Sequence, residues 1–323
     1  MQPNIDEIDS IILKRLLLDS RTSFTNLAKE CKISVVATRM RYKRLYKEGV
    51  ITGETMLVNP FSLGYKYISL IGIVTSKENE EKAIKFLQLK LPRTLIGRRF
   101  GVYNLWIPEV AFHNIEEISK LQRELEASPY IKTADAVLLS ENSMIPQHPE
   151  NLVIKPFGGK LDYTPRQIKQ SEIELDETDR KIAKALVFQA RIPFRKIANQ
   201  LGISTKNVIE RYKRLKGTLF TLSTIMVDLN KLGYHAGAFM VIKLANKSRM
   251  LEVEAELLKT PNVILLVKYI GAYDMFAHVV FESFESYFGM MHSIYQIPDI
   301  DRVDLFLVPS FRSWPANVFA SLL

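Results

Sequence analysis

Apolar residues in the first part of the chain follow a helical spacing that is interrupted twice. They recur every three or four positions over residues 5–16, and the same spacing returns over residues 24–31, which predicts two helices with one buried face each. Ser34 then stands where a third helix would begin, since serine is a favoured N-cap residue. Residues 47–58 predict a turn and a two-stranded wing. The pattern therefore indicates a winged helix-turn-helix unit in residues 1–60.

Beyond residue 64 the spacing changes towards that of strands. The strands are predicted at 67–75, 94–100, 105–111 and 132–139, and the helices at 80–91 and 115–125. The resulting order βαββαβ over residues 64–142 is typical of the ferredoxin-like fold, a four-stranded antiparallel sheet with both helices on one face. The other face of such a sheet is uncovered, so we expect it to pack against a second sheet.

The whole arrangement occurs twice along the chain. The tetrapeptide Tyr-Lys-Arg-Leu at 42–45 returns 170 residues later at 212–215, a period far longer than the roughly 20–50 residues of a solenoid repeat. A complete two-domain unit is therefore duplicated. The predicted fold class is α+β, with two winged helix-turn-helix units alternating with two ferredoxin-like βαββαβ units. The remaining segments are a linker at 143–172, a second helix-turn-helix unit at 173–230, a second ferredoxin-like unit at 233–309 and a tail at 310–323, which we expect to pack on a sheet.

Charge and composition limit the kinds of molecule that the protein is expected to bind. The net charge of +9 favours a polyanion, with nucleic acid first and an anionic membrane surface second. The single cysteine, Cys31, excludes an intramolecular disulfide and, with a polar N-terminus, indicates the cytoplasm. No stretch approaches the roughly 20 apolar residues of a membrane span, so we expect no membrane partner. No Cys/His cluster has the spacing of metal ligands and no phosphate loop occurs, so no metal or cofactor is expected.

The third helix of each helix-turn-helix unit carries the candidate chemistry. A cationic helix with small residues at its start can enter a major groove, where its first turn reaches base edges and later cations reach phosphates. The candidate DNA-contacting residues are Ser34, Ala37, Arg39, Met40, Lys43 and Arg44 in the first copy and Ser204, Lys206, Asn207, Lys213 and Arg214 in the second. Arg39 can pair bidentately with guanine and Asn207 with adenine. Glu210 would repel phosphate, so we expect weaker DNA binding by the second copy.

Several motifs together resemble the Lrp/AsnC family, the feast/famine regulators of bacteria and archaea. They are the Leu-Asp-Glu-x-Asp-Arg opening at 175–180, the Ile203-Ser204 helix start, the Leu-Gly-Tyr sequence at 232–234 and the Gly-Ala-Tyr-Asp hairpin at 271–274. The resemblance covers nearly the whole chain twice, apart from about 141–174. It implies a transcriptional regulator in which a helix-turn-helix unit precedes a RAM- or ACT-like domain that senses small molecules and assembles into oligomers, with itself or with related regulators.

The same resemblance implies an effector, such as an amino acid, near the Gly-x-Tyr-Asp hairpin. The residues at these positions are Gly271, Tyr273 and Asp274 in the second copy and Gly101, Tyr103 and Asn104 in the first. Asn104 lacks the carboxylate that can pair with an amino-acid ammonium group. A Gly followed by Tyr and Asp between two strands is also simply the composition of a hairpin.

Two other functions compete with DNA binding. Siroheme decarboxylases share the two-domain plan, and residues 98–106 have some likeness to their Tyr-Asn-Leu-Trp hairpin. However, none of the five histidines lies in that segment, and two basic third helices would have no role in such an enzyme. The second alternative is an assembly module that has lost DNA binding. The residues favour a non-enzymatic, sequence-specific regulator of double-stranded DNA, built as a covalent pseudo-dimer in which the two copies act as two subunits.

Overall fold

A computed structural model describes residues 3–92, 94, 96–100, 102–139, 149–153, 171–260 and 263–323. The first copy contains α1 (Glu7–Leu18), α2 (Phe24–Cys31), α3 (Val35–Lys47), β1 (Ile51–Val58), β2 (Tyr67–Val74), α4 (Glu80–Lys90), β3 (Gly97–Phe100), β4 (Tyr103–Phe112), α5 (Ile115–Glu126) and β5 (Thr133–Leu139). The second contains α6 (Glu177–Phe188), α7 (Phe194–Leu201), α8 (Thr205–Leu215), β6 (Phe220–Val227), β7 (Ala236–Leu244), α9 (Met250–Leu258), β8 (Val263–Ile270), β9 (Met275–Phe281), α10 (Phe284–Tyr295) and β10 (Ile300–Pro309). None of these helices is long and apolar enough to cross a membrane.

The turn before each third helix has a left-handed backbone conformation. Gly202 has φ +67° and Lys32, at the matching position, has φ +54°. Glycine adopts this conformation freely, whereas a side chain raises its cost by roughly 1–2 kcal/mol. Ser34 and Ser204 each accept the backbone N–H three residues further on, at 3.1 Å. The predicted N-caps are confirmed, and both third helices begin in the same way.

The strand that follows each third helix pairs with its counterpart in the other copy. β1 and β6 run antiparallel, with Thr55 opposite Thr224. The predicted two-stranded wing within each copy is therefore wrong, because residues 51–58 form one continuous strand. Within this strand, Gly53 permits close approach of the other copy. A Cβ atom at Gly53 would lie 2.5 Å from the terminal methyl of Met226.

The helical unit of each copy packs against the strand of the other copy. Leu16 on α1 belongs to the same buried cluster as Ile225 and Val227 on β6. Reciprocally, Leu186 on α6 is buried together with Met56 on β1. Each copy would leave these apolar surfaces in water without the other, and burial of apolar surface is the main favourable term in folding. The two copies therefore form a joint core.

Part of the linker and the tail are also built into the fold. Leu152 and Val153 are buried, and the Tyr234 hydroxyl donates to the Leu152 carbonyl at 2.9 Å. In the tail, Trp314 exchanges two backbone hydrogen bonds with Val227, at 2.8 and 2.9 Å. The predicted packing of the tail on a sheet is confirmed, whereas residues 143–148 and 154–170 of the linker lie outside the described residues.

The two ferredoxin-like units share one eight-stranded sheet. Its order is β10-β7-β9-β8-β5-β2-β4-β3, and the halves join where Leu138 on β5 pairs with Ile270 on β8. Helices α4 and α5 cover one face of the first half-sheet, and α9 and α10 cover one face of the second. The opposite faces contribute to a common buried cluster, in which the rings of Trp106 and Phe239 lie 5.2 Å apart. The predicted packing of the uncovered faces against each other is confirmed.

Candidate functional site

Helices α3 and α8 each bury one face against the rest of their unit. Thr38 and Leu45 are buried in α3, and Val208 and Leu215 are buried in α8. Of the DNA-contact candidates, the exposed ones are Ser34, Arg39, Met40, Lys43, Ser204, Lys206, Asn207, Lys213 and Arg214, and the half-buried ones are Ala37 and Arg44. The structure therefore brings the candidates of each copy onto the solvent-facing side of one helix.

A buried aspartate fixes the orientation of each third helix. Asp9 is fully buried and accepts hydrogen bonds from Arg41, at 3.0 Å, and from Arg44. The second copy repeats the arrangement, because the buried Asp179 accepts from Arg214 and from a second arginine at 2.8 Å. Arg44 and Arg214 thus hold α3 and α8 to the first helices, which leaves fewer of their N–H groups for DNA. Sequence reasoning missed this role.

The other cations differ between the copies. Lys43 and Lys213 form no ion pair with any described residue, so both remain available for phosphate. Lys206 lies 4.0 Å from Glu210, and both side chains are exposed. An exposed pair of this kind contributes little stability, but its carboxylate faces the same solvent region as the lysine. The first copy has the less compensated positive charge, since Arg39 lies 5.5 Å from the ring of Phe24 and pairs with no carboxylate of the described residues.

The exposed side chain of Asn207 is not fully available for DNA. Its Oδ1 accepts a hydrogen bond from Arg211 Nε at 2.7 Å, whereas the matching residue in the first copy is Ala37. Bidentate recognition of adenine requires both the oxygen and the nitrogen of the amide. Asn207 must therefore share its oxygen or release Arg211 before it can contact adenine in this way.

Two arginines at matching positions, which we call the arginine clasp, join the helix-turn-helix units. Arg21 Nη1 donates to two carbonyl oxygens of the second copy, at 2.5 and 3.2 Å, and its guanidinium lies 4.0 Å from the ring of Phe194. Arg191 donates to the carbonyls of Ser20 and Thr22 in the first copy, the latter at 3.0 Å. Reciprocal contacts of this kind define a two-fold interface. The clasp therefore acts with the joint core to fix one helix-turn-helix unit relative to the other.

The residues of the predicted effector hairpin are largely engaged within the protein. The carboxylate of Asp274, 1% exposed, accepts the Leu244 N–H at 2.9 Å and lies 2.8 Å from Lys247 Nζ and 3.3 Å from Lys243 Nζ. Burial alone would raise the pKa of Asp274, but these donors outweigh it and hold the pKa below its usual value. In the first copy, Asn104 Oδ1 similarly accepts the N–H of Thr75 at 2.8 Å.

Both hairpins are thus tied to the end of a neighbouring strand by the residue proposed to bind the effector. Tyr103 and Tyr273 are buried, and Gly271, with φ +150°, approaches Val137. Gly101 lies outside the described residues. An amino-acid ammonium at the second hairpin would have to compete with Lys247 for Asp274, so effector binding there stays a prediction.

A cavity of about 120 Å³ lies between the half-sheets, β1, β6 and the tail. Its walls are mainly aromatic and aliphatic, and its titratable lining residues are Glu109, Tyr269 and His278. Burial raises the pKa of Glu109 to about 7 and lowers that of His278 to about 3. Burial, followed by the charge of Glu109, also raises the pKa of Tyr269. Sequence reasoning missed all three residues.

Glu109 lies at a bulge in β4, where two residues stand opposite Leu70. Its φ of +59° is unusual for a residue with a long side chain. The sequence does contain a signal for this bulge. Tyr103 matches Tyr273 at an offset of 170 residues, whereas Phe112 matches Phe281 at 169, so the first copy carries one extra residue between these positions.

Glu109 should make the stability of the protein depend on pH. Its pKa is about 7 in the folded protein and 4.5 in an unfolded chain. Between these values only the unfolded chain loses the proton, so the free energy of unfolding falls as pH rises through this window and stays low above it. Glu109→Gln removes this charge, so its effect on the free energy of unfolding should be more favourable at pH 8 than at pH 4. We expect a difference of about 2 kcal/mol, less than the full pKa difference would give, because the side chain is partly exposed.

Urea unfolding of both proteins across this pH range measures the effect. His278 acts with the opposite sign, since its lowered pKa removes stability as pH falls below 6.5, but it is present in both proteins and cancels. Glu116→Gln, an exposed change in α5, is the control. A pH-independent difference between Glu109→Gln and the unchanged protein would contradict the assignment.

Comparison with known proteins identifies the class of the helical units and then the family of the chain. Residues 5–46 and 175–216 match the AsnC-type helix-turn-helix domain, and residues 237–310 match the Lrp/AsnC ligand binding domain. The chain belongs to the Lrp/AsnC family. The resemblance seen in the sequence motifs is thereby confirmed.

Individual relatives each match part of the chain. The HTH-type transcriptional regulator LrpA of Pyrococcus horikoshii is 42% identical over 92 residues, which cover 28% of this chain and 65% of LrpA, less than two thirds of its length. The regulatory protein AsnC of Haemophilus influenzae is 27% identical over 144 residues, covering 44% of this chain and 95% of AsnC. The crystal structure of the siroheme decarboxylase NirDL superposes with a TM-score of 0.64 at 17% identity, over 98% of this chain and 97% of that one. At that identity the likeness concerns the fold alone.

Proposed function

We propose that the protein is a sequence-specific DNA-binding transcriptional regulator of the Lrp/AsnC type that acts as a covalent pseudo-dimer. The observation that carries the proposal is the pair of AsnC-type helix-turn-helix domains, held in fixed relation by the arginine clasp, with the candidate residues of both third helices facing solvent. In such dimers, the spacing of the two recognition helices sets the spacing of the DNA half-sites. Because both copies lie in one chain, the half-sites need not be identical.

The two copies are expected to contribute unequally to DNA binding. The first offers Arg39 and Lys43 with no carboxylate paired to either among the described contacts. In the second, Glu210 accompanies Lys206, and Arg211 occupies the amide oxygen of Asn207. The first copy is therefore expected to supply most of the base recognition, and the second mainly phosphate contacts.

Paired substitutions test this asymmetry. We expect Arg39→Ala with Lys43→Ala to weaken binding about tenfold to a hundredfold, because a bidentate base contact and a phosphate contact are lost. The matching pair Asn207→Ala with Lys213→Ala should weaken it less than about fivefold. Genomic fragments selected by the unchanged protein provide the DNA, and gel-shift titration measures the affinity.

Two controls frame this experiment. Lys120→Ala removes an exposed cation from α5, outside the helix-turn-helix units, and should leave binding unchanged. The affinity of the unchanged protein should fall about a hundredfold between 50 and 200 mM salt if four phosphates are contacted. Equal losses from both pairs would overturn the asymmetry, and the absence of any salt-sensitive complex would favour the assembly module instead.

The cavity between the half-sheets does not favour the alternative function, a siroheme decarboxylase. A siroheme carries many carboxylates, and the cavity has no lysine or arginine among its described lining residues. Its volume of about 120 Å³ also lies well below the roughly 300–1,000 Å³ of ordinary ligand pockets. Addition of siroheme to the protein is therefore expected to produce no shifted Soret band.

A further inference from the structure

We propose that the cavity between the half-sheets binds a small aliphatic amine in its ammonium form, with Glu109 as the counter-ion. The described effector candidates, Tyr103, Asn104 and residues 271, 273 and 274, do not line this cavity, and the proposal does not depend on the proposed DNA binding. Three features support the proposal: the composition of the walls, the placement of Glu109 and the absence of lysine and arginine from the described lining residues.

The walls of the cavity are suited to an apolar body. Trp106, Phe239, Phe276 and Phe311 contribute rings, and Leu265 contributes an aliphatic side chain. Apolar cavities of about 150 Å³ stay dry and accept a ligand the size of benzene. The present cavity, at about 120 Å³, is therefore matched to a ligand with about four to six carbon atoms.

Glu109 is the feature that selects the polar group of the ligand. The bulge in β4 and the positive φ of Glu109 direct its side chain to the cavity, and bulges commonly re-aim a side chain in this way. Backbone strain of this kind costs of order 1–3 kcal/mol and persists mainly where function uses it. Within the described part of the chain, Glu109 has no hydrogen-bond or ion-pair partner.

Glu109 is half-buried, and a carboxylate largely removed from water without a partner is unfavourable unless a cation joins it. The described lining contains no lysine or arginine, so the protein does not supply that cation. An ammonium group from a ligand would supply both the charge and the hydrogen-bond donors, and the surrounding rings would add cation–π attraction. An ammonium is therefore the complement of this site.

His278 offers a second polar contact. It is 3% exposed, and its Nε2 has no hydrogen-bond partner among the described residues. Its ring lies between those of Phe239 and Phe311, 4.9 Å from each. A neutral imidazole nitrogen can accept a hydrogen bond from an ammonium, whereas it offers no positive charge to a carboxylate ligand.

This chemistry distinguishes an amine from an amino acid. An amino acid of the same size would place its carboxylate in a cavity that already holds Glu109 and whose described lining has no cationic side chain. Two negative charges in one small, low-dielectric cavity repel each other strongly. The cavity should therefore accept 3-methylbutylamine and reject leucine, which has a similar branched side chain.

Binding should also release a proton near neutral pH. Glu109 has a pKa of about 7 in the empty cavity, and a neighbouring ammonium favours the ionised carboxylate. The complex then contains ionised Glu109, so protein that was protonated before binding gives up its proton. Calorimetry in buffers of different ionisation enthalpy measures this release.

Intrinsic fluorescence provides the direct test, because both tryptophans of the chain, Trp106 and Trp314, line the cavity. The full-length protein is titrated, without DNA, with 3-methylbutylamine, 3-methylbutan-1-ol, 3-methylbutanoate and leucine. We expect a saturable change with the amine, at least about tenfold weaker binding of the alcohol, and no saturation with the acid or leucine. Glu109→Gln should weaken amine binding about tenfold to a hundredfold, and Glu116→Gln should leave it unchanged.

Several outcomes would overturn the proposal. Equal binding of amine and alcohol, or undiminished amine binding by Glu109→Gln, would remove the role of the carboxylate. Binding of leucine as tight as that of the amine would overturn the selectivity, and no response to the amine would remove the site. Since DNA is absent, the result is independent of the gel-shift outcome.

Discussion

Replacement of Asp9 by alanine is expected to lower the free energy of unfolding by about 3 kcal/mol, because it removes the buried anion of an ion-pair network. Asp9 is fully buried and receives hydrogen bonds from Arg41 and Arg44. It also accepts the N–H of Asp6 at 3.2 Å, as one half of a capping box at the start of α1. The two arginines are partly exposed and can turn towards water when Asp9 is removed. The expected loss is therefore at the lower end of the range for removing one partner of a buried ion pair.

The duplicated chain supplies matched tests of this prediction. Asp179→Ala in the second copy removes the same contacts and should cost about as much. Glu7→Ala removes an exposed acid from the first turn of the same helix and should change stability by less than about 0.5 kcal/mol. Urea unfolding followed by circular dichroism measures all three. If the loss for Asp9→Ala were as small as that for Glu7→Ala, the aspartate would not be the anchor of the third helix.

Loss of the arginine clasp is expected to have the second largest effect. Arg21→Ala removes two charge-assisted hydrogen bonds to backbone carbonyls and a cation–π contact with Phe194, and Arg191→Ala removes their counterparts. We expect each substitution to cost about 2–3 kcal/mol. Arg21→Lys should recover only part of this loss, since a lysine cannot reproduce the forked geometry of the guanidinium.

Loss of the arginine clasp should also affect DNA binding, in a way that a general loss of stability would not. With Arg21 and Arg191 both replaced by alanine, binding to DNA with two half-sites should weaken about tenfold, while binding to a single half-site stays unchanged. The contacts within each unit remain, and only the joint core then holds the two units in relation to each other. Arg195→Ala, an exposed change on α7, is the control. Equal weakening on both DNAs would mean that the clasp supports each unit internally rather than their relative placement.

Local patterns in the sequence predicted the elements well because their causes are local. The serines at positions 34 and 204 cap the third helices as expected, since a cap involves residues only three positions apart. The spacing of apolar residues likewise identified α1 and α2, each with a buried face. Duplication correctly indicated that two half-sheets would pack together.

What the sequence concealed depends on contacts between distant residues. Residues 47–58 were taken to form a turn and a two-stranded wing, but 51–58 form one strand that pairs with β6 of the other copy. Arg44 was taken to be free for phosphate, but a buried aspartate 35 residues earlier holds it. Asp274 was taken to be free for an effector, but it contacts lysines on the neighbouring strand and the turn that follows it. In each case the segment or the charged residue was correctly noticed and its partner in the fold was not.

The exchange of strands between the copies has a consequence for synthesis on the ribosome. The apolar face of α1 emerges early, but β6, which completes its cluster, is made roughly 200 residues later. At translation rates of about 5–20 residues per second, this surface stays incomplete for on the order of 10 to 40 s. During that time Leu16 and its apolar neighbours on α1 remain exposed on the nascent chain. We therefore expect chaperones to bind the first half of the protein until the second half is complete.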